Sequence, residues 1–168
     1  NRVRSVDVAG DVVAVIDDEG WARRLRLEGG GLVETAAVRV AEGSLASSGS
    51  WLRSNITVCG DELVGSFVPG LRGVAFGWNP DAGAPEVVRT TQVSPPVCAG
   101  DGAWVADLVR GDIRELQGDY EVKLASDVIQ VRSVRDPRHD RVAFVSSQPG
   151  RLLILDPATA ISQRKIGP

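Results

Sequence analysis

Two cysteines are the residues of this chain best suited to covalent chemistry. Cys59 and Cys98 occupy matching places in two similar stretches, Val-Cys-Gly-Asp and Val-Cys-Ala-Gly-Asp. In an oxidising compartment two neighbouring thiols form a disulfide, whereas in a reducing one they pack as small buried side chains. The sequence has no third cysteine and one histidine, too few ligands for a zinc site. The chain therefore carries either a Cys59–Cys98 disulfide or two buried thiols.

His139 and several carboxylates are the candidates for acid–base chemistry. His139 lies in Asp-Pro-Arg-His-Asp, next to Asp140, at a position typical of a turn between strands. A catalytic base needs a nucleophile to activate and a carboxylate to orient it, and we interpret His139 as a solvated turn residue. Glycoside hydrolysis needs two carboxylates at a defined separation. Asp17, Asp101 and Asp140 would serve if the fold brought them together around one axis.

Tryptophan supplies four of the eight aromatic side chains and is the best candidate for ligand binding. Exposed indoles stack on sugars and anchor protein partners. Trp21 and Trp104 adjoin apolar runs, which predicts that both are packed. Trp51 follows a serine-rich stretch and Trp78 precedes the turn sequence Asn-Pro-Asp. We therefore predict Trp51 and Trp78 as the binding residues.

The elements that would position these residues come from a fourfold internal repeat. Each repeat contains a polar pair, followed by an apolar run and then by a glycine nine or ten residues after the aspartate. The pairs are Gly10-Asp11, Gly60-Asp61, Gly100-Asp101 and His139-Asp140, and the glycines are Gly20, Gly70, Gly111 and Gly150. Glycine supplies the positive φ that a tight hairpin needs. The pattern predicts a β-hairpin in every repeat.

Each repeat has room for four strands. Alternation of apolar and polar residues, typical of a strand with two unlike faces, predicts units at 1–41, 51–93, 94–128 and 129–168. The competing interpretation is a helix over 116–128, where apolar residues recur at spacing four but Gly118 interrupts them. Four-stranded units of about 40 residues are typical of propeller blades. The sequence predicts an all-β fold.

The last unit resembles a known family of repeats. Its Val142–Ala160 segment has an apolar strand, a turn with glycine, a second apolar strand and Asp-Pro-Ala-Thr-Ala. This is similar to the bacterial YVTN and quinoprotein-type propeller repeats, in which Asp-Pro-x-Thr-Gly closes the pattern; Ala160 replaces the final glycine. The resemblance implies a β-propeller of four four-stranded antiparallel blades, either a small ring or half of a larger one. In such a ring the innermost strands of adjacent blades lie close, which would bring the two cysteines together.

Composition excludes several classes of function. The 19 basic and 22 acidic residues give a net charge of −3 and are spread along the chain, which argues against nucleic-acid binding. No apolar run approaches the roughly 18 residues of a membrane span. The glycines at 29–31 precede no helix that would supply a phosphate site, so we expect no cofactor. The excess of arginine over lysine, with abundant alanine, valine and glycine, indicates a bacterial gene of high GC content.

These observations lead to one functional prediction and two rivals. We predict a non-enzymatic interaction scaffold outside the bacterial cytoplasm, bound to a protein or polymer partner or to an identical chain that completes the ring. The first rival is a carbohydrate-active hydrolase or lyase with carboxylates around the propeller axis. The second is a sensor domain cut from a larger multidomain protein. The chain has no methionine, even at position 1, so we expect a processed product or a piece of a longer protein.

Overall fold

The described part of the chain consists of strands and turns. The computed structural model describes residues 2–42, 54–67, 73–90, 94–99, 102–107, 112–116, 121–123, 131–136, 141–147 and 150–155. These residues form fifteen strands and no helix. Every pair of neighbouring strands is antiparallel and consecutive in the chain. The all-β prediction with antiparallel sheets is confirmed.

The strands form four separate sheets that follow one another along the chain. The first sheet contains β1 (Val3–Ala9), β2 (Val12–Asp17), β3 (Trp21–Glu28) and β4 (Gly31–Arg39). The second contains β5 (Asn55–Cys59), β6 (Glu62–Phe67), β7 (Gly73–Trp78) and β8 (Glu86–Thr90). The third contains β9 (Val97–Ala99), β10 (Gly102–Asp107), β11 (Asp112–Glu115) and β12 (Glu121–Lys123). The fourth contains β13 (Val131–Asp136), β14 (Arg141–Ser147) and β15 (Gly150–Leu155).

The four-strand prediction is not tested for the last unit, 129–168. Its fourth strand, expected from the sequence at 161–166, lies outside the described residues. The competing helix covered 116–128, of which the structure describes Leu116 and 121–123. Glu121–Lys123 forms β12 and pairs with β11, so this part of the segment is a strand.

In the first two sheets the recurring Gly-Asp pair forms the hairpin turn between the first and second strands. Ala9 pairs with Val12 and Cys59 pairs with Glu62, so two residues make each turn. Gly10 has φ 62° and Gly60 has φ 60°, the left-handed values that such two-residue turns require. Gly20, with φ 81°, serves the next hairpin as predicted. Gly150 instead opens β15, opposite Ser147, so it does not form the turn predicted for it.

Each sheet has two faces. We call the face toward the sheet before it in the chain its preceding face, and the face toward the sheet after it its following face. Counted from the aspartate of the first turn, or from its equivalent Asp140 in the fourth sheet, the second residue lies on the preceding face and the third on the following face. In the first sheet the following face carries Ala14 and Ile16, which pack on Leu63 and Phe67 of the second sheet. In the second sheet Val64 packs in turn on Ala103 of the third. The first two sheets thus bury their following faces against the preceding face of the next one, and Trp104 on the following face of the third sheet and Val142 on the preceding face of the fourth are also fully buried.

The sheets are arranged around their first strands. β1 contacts β5, β5 contacts β9 and β9 contacts β13, so these four strands lie innermost, as in a propeller-like arrangement. β1 and β13 make no comparable contact. The row of sheets is therefore open between the first and the last.

Candidate functional site

The first sheet carries a concentration of exposed apolar side chains. Among the residues whose exposure the structure describes, the large apolar side chains with high exposure all belong to this sheet. They are Val3, Val6 and Val8 of β1, Leu27 of β3, and Leu32 and Val33 of β4. Contiguous exposed apolar surface of this kind marks interaction sites.

Five of these six side chains lie on the preceding face, away from the second sheet. Val6 is opposite Val15 and Val8 is opposite Val13, and both partners alternate with the inward-packed Ala14. Leu27 and Leu32 are opposite each other, two residues beyond Leu25, which pairs with Val13. We call the patch formed by Val3, Val6, Val8, Leu27 and Leu32 the open face. Val33 pairs with Arg26 and lies on the other side of the sheet.

The open face has the composition of a face that packs against another sheet. The equivalents of Val6 and Val8, fifty residues later, are Ile56 and Val58 of β5. Ile56 is only 3% exposed and Val58 packs on the same core, because the first sheet covers them. Val6 is 53% exposed and Val8 61%. The difference comes from the missing neighbour, since the residue types are alike.

One end of the same face is polar. The Arg23 guanidinium lies 2.8 Å from Glu34 Oε2, 3.4 Å from Asp17 Oδ2 and 5.6 Å from the centre of the Trp21 ring. The hydrogen bond to Glu34 and then that to Asp17 raise the pKa of Arg23 above its usual value, against the opposing effect of burial. The equivalent of Asp17 in the second sheet is Phe67, which is buried. The first sheet thus joins an apolar patch to an ion-pair cluster in which two carboxylates hold one guanidinium.

Asp17, one of the three carboxylates proposed for catalysis, is committed to local structure. Its Oδ1 accepts hydrogen bonds from the amides of Glu19 and Trp21, at 2.9 and 3.0 Å. These bonds hold the turn between β2 and β3, and Arg23 binds the other oxygen. Asp101, Asp140 and His139 lie outside the described residues. The convergence of Asp17 with the other two carboxylates therefore stays a prediction.

Two further buried carboxylates were not singled out from the sequence. Asp107 and Asp112 are opposite each other at the end of the β10–β11 hairpin, and both are buried. Asp112 accepts two hydrogen bonds from Arg114, at 3.1 and 2.7 Å. The Asp-x-Arg spacing on one strand places both side chains on the same face, and this was the available sequence signal.

The two predicted binding tryptophans differ in outcome. Trp51 lies outside the described residues. The predicted exposure of Trp78 is wrong: its side chain is buried between the first and second sheets, and its indole N–H donates to the Gly83 carbonyl at 2.9 Å. Trp78 pairs with Leu63 on the preceding face of the second sheet, which the first sheet covers. Its ring is therefore not presented to a ligand.

The two cysteines meet at the junction of the second and third sheets. Cys59 ends β5 on its following face, and Cys98 lies on the preceding face of β9. Their Cα atoms are 5.6 Å apart and their sulfurs are bonded. This separation is typical of disulfides. The bond links two sheets through cysteines that are 39 residues apart in sequence.

The described ranges contain neither a metal cluster nor a membrane-spanning helix. Within them no three histidine, cysteine or acidic side chains gather as a metal site. No helix in this part of the chain is long and apolar enough to cross a membrane.

Comparisons with known proteins give a likeness of fold. No protein-family model matches the chain, and no curated protein matches it in sequence. The computationally designed Ika4 protein superposes with a TM-score of 0.57 at 8% identity, over 92% of this chain and 91% of that one. Glutaminyl cyclase of Myxococcus xanthus gives 0.38 at 12% identity, over 90% and 73%, and BamB of Moraxella catarrhalis 0.29 at 14%, over 89% and 68%. The last two scores are too low to support an argument.

Proposed function

We propose that this chain is a non-enzymatic β-propeller module that acts as an interaction scaffold. The observation that carries the proposal is the open face, where Val6, Val8, Leu27 and Leu32 expose more than half of their surface on one side of one sheet. Burying such side chains against a partner contributes about 25 cal/mol for each Å² removed from water. The surface is therefore suited to binding a protein.

The arrangement of the sheets supports the propeller interpretation. Four antiparallel sheets in chain order, with the first strand of each innermost, match the blades of such a ring. The gap between β1 and β13 is consistent with a ring that another set of blades completes. A rigid ring holds its faces in fixed positions, which is the property a scaffold needs.

The use of the acidic side chains favours a scaffold over the hydrolase or lyase. Asp7, Asp17 and Asp81 each accept hydrogen bonds that fasten a turn or join two sheets. A catalytic carboxylate must instead approach substrate and exchange a proton with it. These three carboxylates therefore serve as structural hydrogen-bond acceptors.

The disulfide supports a location outside the cytoplasm. Disulfides persist in oxidising compartments and are rare where glutathione and thioredoxin keep thiols reduced. The Cys59–Cys98 bond fits the former. We propose that the module works in the periplasm or outside the cell.

A binding comparison between matched variants tests the scaffold function. Wild type, Val8→Asp and Val33→Asp would be immobilised and exposed to extracytoplasmic proteins and to soluble copies of this chain, and each retained protein would be counted separately. We expect proteins that bind wild type and Val33→Asp but not Val8→Asp, because only Val8 lies on the open face. Equal retention on all three, or no retention on any, would contradict the proposal. Polysaccharide cleavage that Asp17→Asn abolishes would favour the enzyme.

A further inference from the structure

Among the described residues, the exposure of equivalent positions differs between the two end sheets and the inner ones. On the preceding face, Leu63, Ala103 and Val142 are at most 2% exposed. Their equivalent in the first sheet, Val13, is only partly buried. A preceding face is therefore covered in the second, third and fourth sheets and uncovered in the first.

On the following face, the position with higher exposure is in the fourth sheet and not in the first. The third residue after the turn aspartate is Ala14, Val64 and Trp104 in the first three sheets, and all three have no exposed surface. The equivalent in the fourth sheet is Ala143, which is partly exposed. The following face is thus fully covered at this position in the first three sheets and only partly covered, at Ala143, in the last.

We propose that a second copy of this chain covers both faces, in a head-to-tail pair. The open face of each copy would pack on the following face of the partner's fourth sheet. This names the partner of the interaction surface and rests on the scaffold function proposed above. The contact continues the interface already repeated three times within the chain, following face against preceding face.

The residue types on the fourth sheet fit this role. Ala143 pairs with Val134 on one side and with Ile154 on the other, so one register row of the last sheet is apolar. This row is equivalent to that of Ala14, which lies against the second sheet. The row lies toward the end of the sheet where Asp136 of β13 is opposite Arg141 of β14. Val8 lies at the corresponding end of the first sheet, beside the Gly10–Asp11 turn.

Two copies are enough to close the assembly. Each chain has one incompletely covered preceding face and one incompletely covered following face, and these differ from each other. A contact between unlike faces forms a closed ring when the rotation between copies allows it, and an open filament otherwise. With four sheets in each copy, two junctions between copies would leave no end uncovered.

The oligomeric state of four proteins tests this arrangement. Light scattering after size exclusion at about 50 μM should give twice the chain mass for wild type and for Val33→Asp. It should give the monomer mass for Val8→Asp and for Ala143→Arg, because each charge would be buried in both junctions of the pair. Circular dichroism and melting of the variants would establish that they remain folded. Val8 is 61% exposed in the single chain, so its replacement by aspartate should leave the fold intact.

Mixing the two monomeric variants separates head-to-tail pairing from other modes. A mixture of Val8→Asp and Ala143→Arg restores one native junction and sets the new aspartate near the new arginine in the other, so we expect dimers. If Val8→Asp dissociates the dimer and Ala143→Arg does not, two first sheets face each other and the proposal is wrong. Loss of the dimer in Val33→Asp, or a wild-type mass other than that of a dimer, would also overturn it. A monomeric wild type would overturn the pairing alone, since the retention test of the scaffold function also counts proteins other than this chain.

Discussion

The Asp7 carboxylate accepts a hydrogen bond of 2.6 Å from the Thr57 hydroxyl across the junction of the first two sheets. The same carboxylate oxygen accepts from the Val58 amide at 2.9 Å. Asp7 lies on β1 and both donors lie on β5, so one side chain fastens two innermost strands. Hydrogen bonds to a charged acceptor stabilise a fold by about 1.5–3 kcal/mol.

We expect Asp7→Ala to lower the free energy of unfolding by about 2–3 kcal/mol, because it leaves the Val58 amide without its acceptor. Urea unfolding followed by tryptophan fluorescence would measure the loss. Thr57→Val is the matched control: it removes one donor, leaves the Val58 bond intact and should cost about 1 kcal/mol. The double variant should lose less than the sum, since the two residues share a bond. A loss below about 0.5 kcal/mol in Asp7→Ala, the size of an ordinary surface substitution, would show that this bond does not hold the sheets together.

The ion pair between Arg24 and Asp81 should make stability depend on pH. The guanidinium binds both carboxylate oxygens, at 2.8 and 3.0 Å, and the hydrogen bond to Arg24 lowers the pKa of Asp81 below its usual value of 3.8. The stabilisation is therefore complete above the unfolded pKa of about 3.9 and is lost as pH falls through the lower pKa of the folded state.

Urea midpoints of wild type and Asp81→Asn, measured from about pH 7 to pH 2.5, would reveal this dependence. Wild type should be the more stable at neutral pH, and the gap should close in acid. Glu28→Gln, which neutralises an exposed carboxylate on the strand that carries Arg24, should show no comparable change. A gap that stays constant down to the lowest pH would contradict the role of the pair.

Reduction of the Cys59–Cys98 bond should destabilise the fold. Closing a loop of this length restricts the unfolded chain and stabilises the native state by about 3–4 kcal/mol in the chain-entropy description. Oxidatively purified protein should contain no thiol that reacts after denaturation, and a phosphine reductant should lower its urea midpoint. The variant with both cysteines replaced by serine should unfold earlier and ignore the reductant. Two reactive thiols per chain in the oxidised protein would show that the bond does not form.

Strand positions could be predicted from the sequence because their signals are local. β5 begins at Asn55 and ends at Cys59, as the alternating side chains and the Gly60-Asp61 turn indicated. Antiparallel strands joined by short turns need no information from distant residues. The same local signals misplaced the turn at Gly150, where a strand residue and a turn residue of the same type cannot be told apart.

Exposure could not be predicted in the same way, since it depends on which sheet lies in front. Val6 and Ile56 are similar residues at equivalent places in two strands, yet only the second is covered. Trp78 precedes a turn and looked like a surface residue, but the first sheet packs over it. The open face was missed for this reason. One usable signal in the sequence was Asp17, which stands where the second repeat has Phe67. A charged residue at this position indicates that the preceding face of the first sheet is not packed like that of the second.

Gly20 should be the least replaceable of the described turn glycines. Its φ is 81°, and a Cβ there would lie 2.6 Å from the Ala41 carbonyl oxygen and 3.0 Å from the Phe67 ring. Alanine would thus add a steric clash at the first sheet junction to the backbone strain. Gly10 is the matched control, because its φ is also positive at 62° but a Cβ there meets nothing within 4 Å. We expect Gly10→Ala to cost about 1 kcal/mol and Gly20→Ala about 3 kcal/mol or more, from strain and overpacking together. Thermal and urea unfolding of both variants would measure the difference. Equal losses would show that only the positive φ matters and that the junction at Phe67 yields without cost.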